Sequence, residues 1–287
     1  MSELVSVVAP AYKHEKYIEK CIKSIAEQDY PNKELIIIDD KSPDQTVRII
    51  EDTLSQENIK QAFNGGITFI KHSKNQGAYS SINEGLAIAK GHYLTIINTD
   101  DLFEPNRFRL MTHEMELKSA EISFSKVDTI DGSSKILRNE EWHYYNELQQ
   151  KVFKYPTINM ALLTDNVAIS TGNMMFTRRL YKEVGLFREY QYIHDWDFIL
   201  RCSLITEPIY VEGTSYLYRL HETNSFKELQ KDEELCWKES MEVLVNYCKR
   251  IKSRKFSNPC IPSTEVWQYF IQEILHNPDI AHIWRIS

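Results

Sequence analysis

The sequence lacks any apolar run that approaches the length of a membrane-spanning helix, which needs about 20 residues. It has five cysteines, an odd number, and no two of them have the CxxC spacing of zinc or redox sites. No pattern typical of a secretory signal peptide precedes the first apolar segment. We therefore expect a cytoplasmic protein with reduced thiols.

The sequence also has no excess of positive charge. Lys and Arg number 34 against 41 Asp and Glu, so the formal net charge is −7. This balance argues against nucleic acid as the main partner, because such a partner requires a basic face. A chain of 287 residues is long enough for one large domain, or for one domain with an appendage.

Apolar strands and amphipathic helices alternate in the N-terminal part of the chain. Apolar runs at 4–9, 34–38, 67–70 and 92–97 predict four strands, and helical spacing follows each of them. The second of these helices should begin at Ser42, with a serine cap and Pro43 in its first turn. This βαβαβαβ order predicts an α/β fold with a mostly parallel central sheet flanked by helices.

Signals beyond residue 120 are weaker. The polar segment 131–145 is predicted to be a loop, and 193–204 a helix. Residues 216–219 are predicted to form a strand that delivers His221. From residue 226 the pattern changes to long helices, the second at 264–275, which predicts a C-terminal helical extension.

Two of the predicted strands end in paired acids. Asp39 and Asp40 end the second strand, and Asp100 and Asp101 follow the fourth. The carboxyl ends of parallel strands meet at one sheet edge, which is where open α/β sheets bind nucleotides. Adjacent carboxylates there suit Mg²⁺ or Mn²⁺ carrying a diphosphate. The alternative is that Asp101 caps the next helix while Asp100 is exposed.

Six motifs together resemble one known family. They are Val7-Val8-Ala9-Pro10-Ala11-Tyr12, Ile38-Asp39-Asp40-Lys41-Ser42-Pro43-Asp44, Asn75-x-Gly77 with Asn83-x-Gly85, Asn98-Thr99-Asp100-Asp101, His194-Asp195-Trp196-Asp197 and Tyr218-Arg219-x-His221. In this order and spacing they resemble family 2 glycosyltransferases of the GT-A fold. The resemblance implies a catalytic domain at 1–225, with a nucleotide-binding half (1–101) and an acceptor-binding half (102–225), before the extension at 226–287.

The resemblance implies an inverting transfer of a sugar from a UDP-sugar to a saccharide or lipid-linked saccharide, in cell-surface polysaccharide or lipopolysaccharide synthesis. Asp195 would be the general base, and its place in the first turn of a helix should keep it ionised. Asp100 would hold Mn²⁺ or Mg²⁺, with His221 as a further ligand or, alternatively, an unrelated loop histidine.

The resemblance also assigns contacts to the two substrates. The predicted nucleotide-binding residues are Pro10, Ala11, Tyr12, Asp40, Asn75, Gly77, Asn98, Thr99 and Asp100. The predicted acceptor-binding residues are His194, Trp196 and Asp197. Trp196 has core packing as its alternative, and Asp197 has a role at the helix start.

Three positions depart from the pattern of the family. Asn98 stands where the family usually has an acid, so the metal site would depend on Asp100 and water. His194 replaces a common Glu and would alter acceptor choice or pH dependence. Ile82 stands where the family frequently has Arg. This difference would either weaken a contact with phosphate or let the side chain pack the helix.

The C-terminal part contains a local basic cluster, although the protein as a whole is acidic. The cluster comprises Lys249, Arg250, Lys252, Arg254 and Lys255. Peripheral contact with the inner face of the cytoplasmic membrane would use such a segment. A solvated helix end and phosphate recognition are the alternatives.

Two other functions remain open from the sequence. A sugar-1-phosphate nucleotidyltransferase would share the nucleotide-binding layout, but its glycine-rich phosphate loop is missing after the first strand. A degenerate nucleotide-sugar-binding scaffold is the second alternative. The oligomeric state is not predicted.

Overall fold

The computed structural model describes residues 2–221 and 232–287, and a mixed β-sheet forms its centre. The strands are β1 (Val5–Ala11), β2 (Lys33–Asp39), β3 (Ile67–Lys71), β4 (Tyr93–Ile96), β5 (Leu102–Phe103), β6 (Ile122–Ile130), β7 (Met174–Thr177) and β8 (Ile209–Arg219). Within the described residues these eight strands have the order β3-β2-β1-β4-β7-β6-β8-β5.

The first four strands form the parallel part of the sheet. β1 pairs in parallel with β2 and with β4, and β2 pairs in parallel with β3. β2 is buried along its whole length, as an apolar strand is when helices cover both faces of the sheet. The carboxyl ends of β1, β2 and β4 therefore meet at one edge. This geometry brings Asp40 and Asp100 close together.

The rest of the sheet is mixed. β6 pairs in parallel with β8, while β4–β7, β6–β7 and β5–β8 are antiparallel. The prediction of an α/β fold with a mostly parallel central sheet is confirmed, since four of the seven strand pairs among the described residues are parallel.

The helices cover both faces of the sheet and continue beyond it. They are α1 (Ile18–Ala26), α2 (Thr46–Ser55), α3 (Glu57–Ala62), α4 (Ala78–Ile88), α5 (Arg107–Leu117), α6 (Glu140–Lys154), α7 (Ile158–Thr164), α8 (Arg178–Val184), α9 (His194–Ser203), α10 (Glu233–Lys252), α11 (Thr264–Tyr269) and α12 (Pro278–Ile286), with a 3₁₀ turn at Thr171–Asn173 and a π-helical turn at Phe270–Ile274.

Two local predictions are wrong. The segment 131–145 is not all loop, because α6 begins at Glu140, where the Asn139 side chain accepts a hydrogen bond from the Trp142 N–H. α2 begins at Thr46, not at Ser42, and Asp44 accepts the Thr46 N–H. The predicted helix at 264–275 is confirmed through Ile274, with α geometry to Tyr269 and π geometry from Phe270.

The C-terminal helices share an apolar core with the sheet. Tyr247, Trp267 and Trp284 are buried in the same cluster as Val8 of β1 and Phe198 of α9. The helical extension therefore belongs to the same core as the sheet and packs directly against α9, which carries Asp195. None of the described helices is both long and apolar enough to span a membrane.

Candidate active site

A cavity of about 850 Å³ opens at the shared carboxyl edge of β1, β2 and β4. This volume lies within the usual range for small-molecule sites, roughly 300–1,000 Å³. Ten of the site residues predicted from the sequence line it, from five separate motifs: Pro10, Ala11, Tyr12, Asp40, Asn75, Gly77, Asn98, Asp100, His194 and Asp195.

Asp40 holds the loop that enters α4. Its Oδ1 accepts the Gln76 N–H at 2.7 Å, and its Oδ2 accepts the Gly77 N–H at 2.8 Å. The Asn75 side chain donates to the main-chain oxygen of Asp40 at 3.2 Å. Gly77 has a φ of +88°, which glycine adopts without a steric penalty. The second and third motifs thus form one connected wall of the cavity.

His72 contacts Asp40 without lining the cavity itself, and no sequence motif indicated it. Its Nδ1 lies 2.8 Å from Asp40 Oδ1, and its Nε2 lies 2.8 Å from Glu84 Oε2. Ionised carboxylates only accept hydrogen bonds, so both ring nitrogens donate and the ring is an imidazolium. Burial alone would lower the pKa of His72, but the hydrogen bonds and charges of Asp40 and Glu84 outweigh it and raise the pKa.

Asp100 lies between two histidines. His221 Nε2 is 3.0 Å from its Oδ2, and His14 Nε2 is 3.7 Å from the same oxygen. Burial would raise the pKa of Asp100, but His14 and His221 outweigh it and hold the pKa below its usual range. Asp100 is therefore a carboxylate at neutral pH.

These side chains fit a metal that the nucleotide brings with it. Within the part of the chain that the structure describes, no three or more His, Cys, Asp or Glu side chains are arranged to hold an ion by themselves. Mg²⁺ and Mn²⁺ often take one or two protein carboxylates and complete their coordination with phosphate oxygens and water. Asp100, with His221 beside it, supplies a donor set of this size.

Asp101 connects two elements of the fold, and the alternative in which it caps the next helix is wrong. Its Oδ2 accepts the Tyr216 hydroxyl at 2.5 Å and the Asn98 amide at 3.3 Å, while Oδ1 accepts the Arg219 N–H at 2.7 Å. Burial and the charge of Asp100 raise its pKa well above the usual range. Asp101 thus fastens the fourth motif to β8, the strand that leads to His221.

Asp195 lies at the start of α9. Its Oδ1 accepts the Trp196 N–H at 2.8 Å, and its Oδ2 accepts the Asn166 amide at 3.0 Å. Burial raises the pKa of Asp195, and this effect outweighs the opposing charge of His194 and the hydrogen bonds. The helix N-terminus was expected to keep Asp195 ionised by lowering its pKa, but burial has the larger effect. A carboxylate with a raised pKa is a stronger base.

His194 reaches the cavity beside Asp195. Its Nε2 lies 3.0 Å from Thr171 Oγ1, so the hydroxyl fixes the orientation of the ring. Ile82 also lines the cavity and is almost completely buried, which supports the packing interpretation of that departure.

Four of the predicted site residues do not line the cavity: His221, which contacts the lining residue Asp100, and three whose predicted contacts need correction. Thr99 is completely buried, with its hydroxyl between His14 Nδ1 and the Pro10 carbonyl. The Trp196 indole donates to the Leu162 carbonyl and packs against the apolar core. The Asp197 carboxylate forms ion pairs with Arg188 and Arg201. In each case tertiary packing has already used the polar atoms.

A helix of the C-terminal extension shapes the opposite wall. Glu239 of α10 accepts the Gln191 N–H at 2.9 Å and the Tyr192 N–H at 2.8 Å. Both of these residues line the cavity, and so does Glu239 itself. Sequence reasoning missed these contacts, because a carboxylate that accepts backbone N–H groups from a distant loop leaves no local pattern.

The sheet, the cavity at its carboxyl edge and the placement of the acids define the protein as an α/β enzyme of the GT-A nucleotide-sugar transferase fold. The model of "Glycosyl transferase family 2" matches residues 6–185, more than half of the chain. The chain belongs to this family and is a glycosyltransferase.

Several curated relatives are similar to the chain. It is 33% identical to "Glycosyltransferase GlyG" of Streptococcus pneumoniae over 137 residues, which cover 46% of this chain and 43% of that protein. It is 28% identical to "UDP-Glc:alpha-D-GlcNAc-diphosphoundecaprenol beta-1,3-glucosyltransferase WfaP" of Escherichia coli over 238 residues, 79% of this chain and 83% of the relative. The match to GlyG thus spans less than half of that protein.

Solved structures share the fold. The TarS 1–349 structure from S. aureus in complex with UDP-GlcNAc aligns with a TM-score of 0.60 and 17% identity, over 98% of this chain and 78% of that one. The mannosyltransferase PcManGT from Pyrobaculum calidifontis, in complex with GDP-Man and Mn²⁺, aligns with a TM-score of 0.61 and 17% identity, over 100% and 74%.

Proposed function

We propose that this glycosyltransferase is an inverting, metal-dependent enzyme that transfers a sugar from a UDP-sugar to a saccharide or lipid-linked saccharide. This proposal rests mainly on one observation: Asp40, Asp100 and Asp195 line the same cavity of about 850 Å³. A UDP-GlcNAc complex of a protein with the same fold and the diphosphoundecaprenol-linked substrate in the name of WfaP support the substrate classes.

The donor binds along the edge formed by β1, β2 and β4. Pro10, Ala11 and Tyr12 border the nucleoside, and Asp40 accepts a hydrogen bond from the base. An ionised carboxylate can accept about four hydrogen bonds. Asp40 uses three of them on His72, Gln76 and Gly77. One acceptor position is left for a ring N–H.

Asp100 and His221 would hold Mn²⁺ or Mg²⁺ near the diphosphate end of the donor. When bound, such a cation neutralises the charge that develops on the leaving diphosphate. The lowered pKa of Asp100 keeps this carboxylate ionised for the task.

Asp195 acts on the acceptor. It takes the proton of the acceptor hydroxyl while the hydroxyl oxygen bonds to the anomeric carbon and the bond from that carbon to the UDP oxygen breaks. Attack from the face opposite to UDP inverts the configuration at the anomeric carbon. Burial supports this role, because the raised pKa of Asp195 makes it a better proton acceptor. His194, held by Thr171, contacts the acceptor beside it.

The same observations argue against the two alternative functions, a nucleotidyltransferase and a degenerate scaffold. A nucleotidyltransferase would require a glycine-rich phosphate loop after β1, where the chain has Pro10-Ala11-Tyr12-Lys13-His14. A degenerate scaffold would have no reason to keep the base and the metal-holding carboxylate together on one cavity.

The test is titration calorimetry of UDP with the protein, once with Mn²⁺ and once with EDTA. We expect binding that requires the metal, is lost in Asp100→Ala, and persists in Asp52→Asn, a change at an exposed acid of α2. Metal-independent UDP binding in the wild type would contradict the proposed mechanism. A screen of UDP-sugars for slow metal-dependent hydrolysis then identifies the donor.

We place the reaction in the cytoplasm, at the inner face of the membrane when the acceptor is lipid-linked. The basic cluster of residues 249, 250, 252, 254 and 255 supports this placement, because each Lys or Arg near an anionic surface contributes about 1 kcal/mol. We also propose that the catalytic domain ends at residue 225 and that the helical extension begins at residue 226.

A further inference from the structure

A second cavity, of about 330 Å³, lies behind α9 and shares no lining residue with the first. It is formed by α9, the last turns of α10 and the loop after α8. Five of its lining side chains are basic and one is acidic: Arg188, Arg201, Lys249, Arg250, Lys255 and Asp197. We call it the basic cavity.

The charges of the basic cavity do not cancel within the structure. Asp197 forms ion pairs with Arg188 and Arg201, at 3.1 and 2.8 Å. Within residues 2–221 and 232–287, Lys249, Arg250 and Lys255 form no ion pair with a carboxylate. The lining therefore has four positive charges in excess, in a protein whose net charge is −7.

A helix end alone does not explain this concentration of charge. The helix dipole favours Lys249 and Arg250 in the last turn of α10. Lys255 lies after the helix, Arg188 is on a separate loop and Arg201 is on α9, so tertiary structure brings these side chains together. Solvent screens the exposed Lys249, Arg250 and Lys255, and a bound anion would reduce the remaining repulsion between the charges further.

The backbone caps the end of α10 without these side chains. The Ser253, Arg254 and Lys255 N–H groups donate to the carbonyls of residues 249, 251 and 250. Arg254 takes a φ of +52° at this point, which turns the chain back so that Lys255 lies beside Arg250. The ammonium groups of Lys249 and Lys255 are therefore not needed for capping.

The chemistry of the lining points to a phosphate group. Arg188 and Arg250 present planar pairs of donors that match phosphate oxygens, and the lysines add point charges. Arg201 contributes its charge only, because its guanidinium already donates to Asp197 and to two backbone carbonyls. Leu200, Leu204 and Val243 form an apolar side of the same cavity, which suits the organic part of a phosphate ester. An excess of four positive charges matches a dianion or a diphosphate better than a single carboxylate.

We propose that the basic cavity is a second binding site, separate from the donor site, for a phosphate monoester or diphosphate group. The group can belong to a soluble phosphate ester or to a lipid headgroup, and these two sources are separated below. The proposal does not depend on the proposed transfer reaction, because none of its residues lines the larger cavity.

The test uses pyrophosphate in EDTA, so that metal-dependent binding at the donor site does not contribute. We expect saturable one-site binding by calorimetry, weakened at least tenfold in the Lys249→Ala/Lys255→Ala double variant. The matched control is Lys60→Ala/Lys238→Ala, which removes the same charge from exposed positions outside both the cavity and the basic cluster and should bind like the wild type. Equal weakening in both double variants, or no binding by the wild type, would overturn the proposal unless the vesicle assay supports it.

Vesicles distinguish the two sources. If the protein is retained on vesicles with phosphatidic acid but not on pure phosphatidylcholine, and only the cavity double variant loses this retention, the bound group is a lipid headgroup. If the protein binds pyrophosphate but is not retained on the vesicles, the natural ligand is a soluble phosphate ester. Absence of cavity-dependent binding in both assays refutes the site.

Discussion

Asp195 and Asp197 lie two residues apart on α9 and have opposite environments. Two residues correspond to about 200° around a helix, so their carboxylates point to different sides. Asp195 faces the large cavity and is held by one amide and one backbone N–H. Asp197 faces the basic cavity and is held by two arginines. One short motif therefore contains a group available for chemistry and a group already neutralised by its partners.

The largest expected effect is on catalysis at Asp195. Asp195→Asn removes the base, and turnover should fall by about 10²–10⁴, the usual contribution of general acid–base catalysis. UDP binding should be unchanged. In the wild type, turnover should also fall as the pH is lowered through the raised pKa of Asp195. Transfer at a near wild-type rate in the variant would show that another group is the base.

Asp197→Asn should instead affect stability. It leaves Arg201, which is only 10% exposed, without its carboxylate, while the half-exposed Arg188 is compensated by solvent. We expect the free energy of unfolding, measured with urea, to fall by about 3 kcal/mol, the lower end of the range for a buried ion pair, because the amide retains a hydrogen-bond acceptor. The control is Asp29→Asn at the exposed pair with Arg109, where the loss should stay below about 1 kcal/mol. Equal losses in both variants would remove the contrast between the two aspartates.

Glu239→Gln tests how α10 supports the large cavity. The amide keeps one acceptor where the carboxylate accepted two backbone N–H groups, so we expect a loss of about 1–2 kcal/mol in unfolding free energy. KM should rise more than turnover falls, because the change loosens a wall and leaves the base in place. Glu242→Gln is the matched control. The side-chain oxygen at this position can still accept the Tyr190 hydroxyl, so the unfolding free energy and KM should change little.

The smallest effect concerns pH and His72. Its pKa is raised in the folded protein, so the stabilisation it contributes is complete below its unfolded pKa of about 6.5 and is lost as the pH rises through the higher folded value. We expect the difference in unfolding free energy between wild type and His72→Gln to shrink from pH 5.5 to pH 8.5. A difference that grows with pH would contradict the imidazolium assignment.

Much of the donor side could be predicted from local sequence. Apolar runs that end in Asp40 and Asp100 indicate strands, and parallel pairing brings such ends to one edge. The prediction failed where a side chain had alternative partners. Thr99, Trp196 and Asp197 belong to the motifs, but their polar atoms are used by His14, Leu162 and two arginines.

The sequence by itself determined the α/β class, the edge at which the acids meet and the family resemblance, because these depend on hydrophobic periodicity and short motifs. Only the tertiary structure decided the hydrogen bonds of His72 to Asp40 and Glu84, the support from Glu239 and the convergence of five basic side chains on one cavity. These contacts join residues far apart in the chain, and long-range packing leaves no periodic pattern in the sequence that forms it.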